Sequence, residues 1–144
     1  MLITITVRLV SGMYAHDDWA CELEIDDGAT LHELHDAIQQ AVRFNNDHMY
    51  SFFIARSEHA GERLHFDGDE YSLDAPISDL FPLPRGKKLF YWFDFGDDWI
   101  FQVSRSRKKP RSDPATQRYP RLTGETGTRP VQYEGYDPHA EPEW

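Results

Sequence analysis

Apolar and polar positions alternate almost from the first residue. Ile3, Ile5, Val7 and Leu9 are interleaved with Thr4, Thr6 and Arg8, the period of two that marks a strand with one apolar face. After a Ser11-Gly12 turn signal, Trp19, Cys21, Leu23 and Ile25 share one face of a second strand, which Asp26-Asp27-Gly28 stops. The period then changes. Leu31, Leu34, Ile38, Ala41 and Val42 recur at helical spacing behind Thr30-x-x-Glu33, a capping box whose hydroxyl and carboxylate satisfy free backbone N–H groups. His32, His35, Asp36, Gln39 and Gln40 fall off that apolar stripe. Asn45-Asn46-Asp47 ends the helix, and residues 49–55 read as a strand again.

Residues 57–88 are polar and turn-rich, with one short strand expected near 64–66. KLFYWFDF and DWIFQVSRS then predict a hairpin, with Gly96 supplying the positive φ that a tight reversal demands. From Pro110 onward Pro, Gly, Arg and Thr dominate without periodicity, which predicts an extended arm. Strand, strand, capped helix, strand, loop and hairpin is an α+β order. It points to a ubiquitin-like β-grasp, a curled sheet over one main helix with a C-terminal hairpin and arm. A generic αβ roll is the alternative. The expected organisation is one domain over 1–137, with a core at about 2–106, the arm over 107–137, and an acidic tail at 138–144.

Composition narrows the class. A chain of 144 residues suits one domain. The single cysteine, Cys21, excludes an internal disulfide framework and a Cys-based zinc site. No apolar run approaches the ~20 residues that span a bilayer, and the alternating start reads as a strand and not as a signal peptide. A cytoplasmic protein is expected.

Charge is unevenly spread. Residues 1–84 carry four basic and sixteen acidic side chains, and residues 85–129 carry eleven basic and five acidic. The net charge of -10 argues against a dedicated duplex-DNA binder. The stretch Arg105, Arg107, Lys108, Lys109 and Arg111 is a candidate contact for nucleic acid or an acidic partner, against the simpler reading of a solvated connection after a strand.

Asp94-Phe95-Gly96 spells the magnesium motif of protein kinases, but the glycine-rich loop, strand lysine and catalytic loop that must precede it are missing. The sharper hypothesis is a divalent-metal site built from Asp94, Asp97 and Asp98 with His35 and His48. Carboxylates suit Mg²⁺, Ca²⁺ or Mn²⁺, and added imidazole shifts the preference toward Zn²⁺ or Fe²⁺. The simpler reading has Asp94 or Asp97 accepting turn N–H groups and the histidines bonded in the seam between sheet and helix. Cys21 alternates onto the apolar face, and neither Ser51 nor Ser57 sits in a nucleophile elbow. The aromatic run at 90–93 is bulky on both strand faces, as in a central strand covered by the helix on one side and by the arm around Tyr119-Pro120 on the other. An exposed stacking platform is the alternative.

Several spaced motifs resemble one family. Trp19 lies in the second strand. Thr30-Leu31, Leu34-His35 and Ile38-Gln39 follow on the helix, and His48 with Phe52 marks its exit. Phe93-Asp94-Phe95-Gly96-Asp97-Asp98-Trp99 forms the hairpin, and Tyr119-Pro120 with Gly124 lies in the arm. Together they resemble the plasmid pRiA4b ORF-3-like family, also described as insertion-element passenger proteins, from about Trp19 to Gly135. Phe93 stands for the usual tyrosine, Ala20-Cys21 for an arginine pair, and Phe101 for a frequent histidine; RPVQYEGYD (129–137) only echoes the family's late run. The resemblance implies a plasmid- or mobile-element-associated accessory protein and carries no particular chemistry; no Ser-recombinase motif is present. The functional expectation is a non-catalytic binding module that needs no cofactor. Its partner is expected to be a protein, with nucleic acid at 105–111 as a second candidate. The rival is a metal-dependent hydrolase or nuclease using Asp94, Asp97, Asp98 and His48.

Overall fold

The computed structural model describes residues 1–66, 72–112 and 119–133. Among these residues seven strands form one sheet: β1 (Leu2–Ser11), β2 (Trp19–Asp26), β3 (Tyr50–Ala55), β4 (Leu64–Phe66), β5 (Lys88–Phe93), β6 (Trp99–Arg105) and β7 (Arg121–Gly127). Helix α1 (Leu31–Val42) lies on one face, and a short 3-10 turn covers Ile77–Asp79. The sheet order is β4-β3-β5-β6-β1-β2-β7, and each neighbouring pair is antiparallel.

That order corrects the expectation of an α+β, β-grasp fold. A β-grasp sets its first strand parallel to a later one at the centre of the sheet. Here β1 pairs antiparallel with both β2 and β6. The described residues form a β-rich antiparallel sheet of seven strands with one α-helix of twelve residues. The sequence period set which side chains face together, but strand neighbours depend on pairings far apart in the chain.

The predicted faces are buried as the alternation requires. Ile3, Ile5, Val7 and Leu9 join Trp19, Cys21, Leu23 and Ile25, the inner side chains of β5 and β6, and Leu31, Leu34, Ile38 and Val42 of the helix in one core. Thr30 caps the helix by accepting the Glu33 N–H at 3.1 Å. The opposite sheet face has its own small core of Phe53, Ala55, Phe90 and Ile100. Ala60 and Arg63 cover it, the guanidinium lying 4.3 Å from the Phe53 ring centre. Burial of the aromatic run on both faces therefore holds, but this cover is the segment after β3 and not Tyr119-Pro120. The Tyr119 hydroxyl instead accepts from Arg111 at 2.8 Å.

Two local expectations change. The β5–β6 reversal is made by Asp94 (φ 57°) and Asp98 (φ 59°), while Gly96 stays out of the left-handed region. Aspartate tolerates that region because its short side chain bonds locally. The arm also contributes β7, which runs along β2. Its last residue, Gly127, has φ 78°, and a Cβ there would stand 2.0 Å from the Asp18 carbonyl oxygen.

Candidate functional site

The antiparallel order carries four loops to one end of the sheet. Residues 12–18 follow β1, 43–49 follow α1, 94–98 join β5 to β6, and 128–133 follow β7. Hydrogen bonds tie them into a ring. Met13 N–H donates to the Asp97 carbonyl at 2.9 Å, and Asp94 N–H to the Met49 carbonyl at 3.0 Å. Asn45 N–H donates to Gln132 Oε1 at 2.6 Å. Thr128 N–H closes the circuit on the Asp18 carbonyl at 2.9 Å.

Asp94, buried to 7% exposure, organises the turn. Its Oδ1 accepts the Gly96 N–H at 3.1 Å and the Asp97 N–H at 3.3 Å, and its Oδ2 lies 3.4 Å from His48 Nε2. The same imidazole nitrogen is 2.8 Å from the Tyr133 hydroxyl and 3.7 Å from Asp47 Oδ1. Tyr133 donates to Asp47 Oδ2 at 2.5 Å, and Gln132 Nε2 donates to Asp47 Oδ1 at 2.8 Å. Burial is the largest influence and acts to raise the Asp47 carboxyl, but the Tyr133 and Gln132 hydrogen bonds and the adjacent His48 imidazole together hold it below its ordinary range. Burial first, then the Asp94 charge, push the Asp97 carboxyl above its ordinary range.

His35 does not join this group. Its ring is buried and stacked 3.6 Å from that of Tyr50, with Nδ1 2.5 Å from the Tyr91 hydroxyl and Nε2 2.7 Å from Asn46 Oδ1. Gln39, also buried, donates to the Tyr91 hydroxyl at 2.8 Å and accepts Asn46 N–H at 3.0 Å. The imidazole, phenol, amide and backbone groups satisfy one another. Burial, first among the causes, lowers the His35 pKa.

The structure thus brings together His48, Asp94 and Asp97, adds Asp47 and Tyr133, and sends His35 to the seam between helix and sheet. Asp98 enters through its backbone, donating N–H to the Asp94 carbonyl at 2.6 Å. Among the described residues, no three His, Cys, Asp or Glu side chains are grouped so as to hold a metal ion.

The plasmid pRiA4b ORF-3-like protein family matches residues 15–137. The chain belongs to this family. A crystal structure of a protein of unknown function from Methanosarcina mazei Go1 is similar, with a TM-score of 0.68 and 21% identity, covering 86% of this chain and 68% of the other. That likeness shows the fold. No curated protein matches the chain.

In this pRiA4b ORF-3-like chain the motif residues are largely spent on the scaffold. Trp19, Leu31, Leu34 and Ile38 fill the core, Thr30 caps the helix, and His35 with Gln39 locks it to Tyr91. His48 and Asp94 knit the loop end. Sequence reading missed Asp47, Gln132 and Tyr133. Only the proximity of residue 47 to His48 could have marked the first, since the other two lie more than 80 positions away.

The basic stretch lies at the opposite end. Arg111 exchanges backbone hydrogen bonds with Leu2, and its guanidinium grips Glu24 at 2.7 and 2.9 Å. Arg121 reaches the same carboxylate at 2.7 Å, and Lys108 meets Glu22 at 2.9 Å. These arginine contacts depress the Glu24 pKa to about 2. Arg105, Arg107 and Lys109 remain exposed. No helix among the described residues is long and apolar enough to cross a membrane.

Proposed function

We propose that this family member is a non-catalytic accessory module that binds another protein through the loop end. One observation carries the reading. Met1, Met13, Tyr14, Met49, Leu64, Phe95, Leu122 and Val131 are the large hydrophobic side chains exposed among the described residues. Five of those eight, Met13, Tyr14, Met49, Phe95 and Val131, belong to the four loops tied together at this end. Single exposed apolar side chains need no explanation, whereas a gathering of them marks an interaction surface. Met13 and Met49 are 63% and 73% exposed, and unbranched methionine adapts its shape to a partner.

The polar side chains at this end support a holding role better than a reacting one. Asp94 is engaged by turn N–H groups, and His48 sits between Asp94, Asp47 and Tyr133. Nucleic acid fits this end poorly, because the loops carry six aspartates. At the basic end, Arg111 and Lys108 are paired to glutamates of β2.

A photo-crosslinking residue placed at Met49 and, separately, at Arg107 tests the proposal in the native host. The expected result is a discrete protein adduct from position 49 that disappears with Met13→Ser plus Phe95→Ser. Adducts from position 107 with none from 49 would overturn it.

A further inference from the structure

We infer that the segment docking on the loop end is cationic, with Lys or Arg set between apolar side chains. The inference rests on the reading of this end as a protein-binding surface and adds the chemistry of the partner.

The apolar side chains at this end stand among carboxylates. The four loops contain Asp17, Asp18, Asp47, Asp94, Asp97 and Asp98 against Arg43 and Arg129, six negative charges to two positive. All of the aspartates except Asp94 are exposed or half-exposed. Of the two cations, Arg129 is already held by Glu125 at 2.7 Å. Arg43, the exposed C-cap residue of α1, lines a groove of about 250 Å³ with Leu122, Pro120 and Ala37. Burial and, after it, the neighbouring Asp94 charge raise the Asp97 pKa, and a partner's cation would relieve the second of these.

The placement selects among occupants. The carboxylates are spread over the same three loops as Met13, Tyr14, Met49 and Phe95, a pattern that fits an extended or helical segment better than a point ion. A second copy docked end to end would set the same surplus of aspartates against itself, and like charges face to face oppose association. An anionic lipid surface and a nucleic acid are repelled for the same reason. A cationic amphipathic segment meets both features, its apolar residues covering the methionines and its charges the aspartates.

The test uses the full chain, labelled for NMR, and three synthetic peptides with identical leucine spacing whose polar positions are Lys, Gln or Glu. The Lys peptide is expected to shift the amides of 13–18, 47–49 and 95–98. Its affinity is expected to fall about tenfold between low and high salt, as it does when exposed charges contribute to docking. Asp97→Asn with Asp98→Asn should weaken it about tenfold, since asparagine keeps the left-handed backbone at 98 while losing the charge. Circular dichroism of that variant confirms that the fold is kept.

Equal binding of the Gln peptide at the same amides would overturn the cationic partner while leaving the protein-binding end standing. Shifts confined to 105–109, or tighter binding of the Glu peptide, would overturn it as well. A concentration-dependent dimer that Met49→Ser dissolves would make a second copy the occupant and would also overturn it. Failure of the crosslinking experiment at Met49 removes the underlying reading, so the two failures are distinguishable.

Discussion

At the scale of single residues, His35 shows how packing reassigns a side chain. It falls off the apolar stripe of α1, yet it is 1% exposed and bonded at both ring nitrogens. An Nε2–H donated to Asn46 leaves Nδ1 to accept the Tyr91 hydroxyl, and this is the neutral tautomer. Burial sets the folded pKa below the ordinary 6.5. The unfolded chain therefore takes up a proton more readily than the folded one, so the contribution is intact above pH 6.5 and is lost as pH falls below it. Urea unfolding at pH 7.5 and 5.5 should show lower stability at 5.5, and His35→Gln should shrink that difference. An unchanged difference would place its origin in other groups. At pH 7.5, Tyr91→Phe should cost about 1–3 kcal/mol, because it strips a partner from His35 Nδ1 and from the Gln39 amide.

At the scale of elements, β7 is the strand that the sequence did not announce. RLTGETG has two glycines and no alternation of apolar residues, and nearly all of it is exposed. What holds it is its neighbour. β2 supplies a ladder with a register shift between Glu22 and Leu23, and Glu24 gathers Arg111 and Arg121. Glu24 is 12% exposed while the two arginines are 40% and 45% exposed, so solvent screens part of the attraction. Its pKa is lowered from 4.5 to about 2, so the stabilisation is complete above pH 4.5 and is lost as pH falls toward 2. Glu24→Gln should cost about 1–2 kcal/mol at pH 7 by chemical denaturation. The gap from the unaltered chain should close between pH 4 and 2, provided both are still folded there. Faster amide exchange in 121–127 of the variant would locate the loss at β7.

For the whole molecule, residues 107–112 and 119–133 are part of the fold and not an appendage. They provide β7, the Arg111 bridge to Leu2, and the Gln132 and Tyr133 contacts that close the loop end. Removing residues 107–144 uncovers the β2 edge, an aggregation-prone row of free N–H and C=O groups. The melting temperature should fall by roughly 10 °C or more, about 3–4 kcal/mol at this size. A truncated chain that melts with the full one would show the core to be self-sufficient. Residues 113–118 and 134–144, including the predicted acidic tail, lie outside the described residues.

The helix was legible because Leu31, Leu34, Ile38 and Val42 carry a period that only one local structure satisfies. The strands before it were legible by alternation, and the β5–β6 turn was legible in position, although Asp94 and Asp98 and not Gly96 supply its positive φ. These are short-range signals, set by backbone geometry and solvent. They could not say that β1 lies between β2 and β6, because seven strands with matching faces can be ordered in several ways. Nor could they say that Asp47 meets Tyr133, 86 positions later. The antiparallel order alone decides that four separate loops share one end. The sequence by itself determined the elements, their buried faces and the family motifs. The tertiary structure decided which motif residues are scaffold and brought Met13 and Met49 to the same end of the sheet as Asp17, Asp18, Asp47, Asp97 and Asp98, because only long-range strand pairing sets which loops become neighbours.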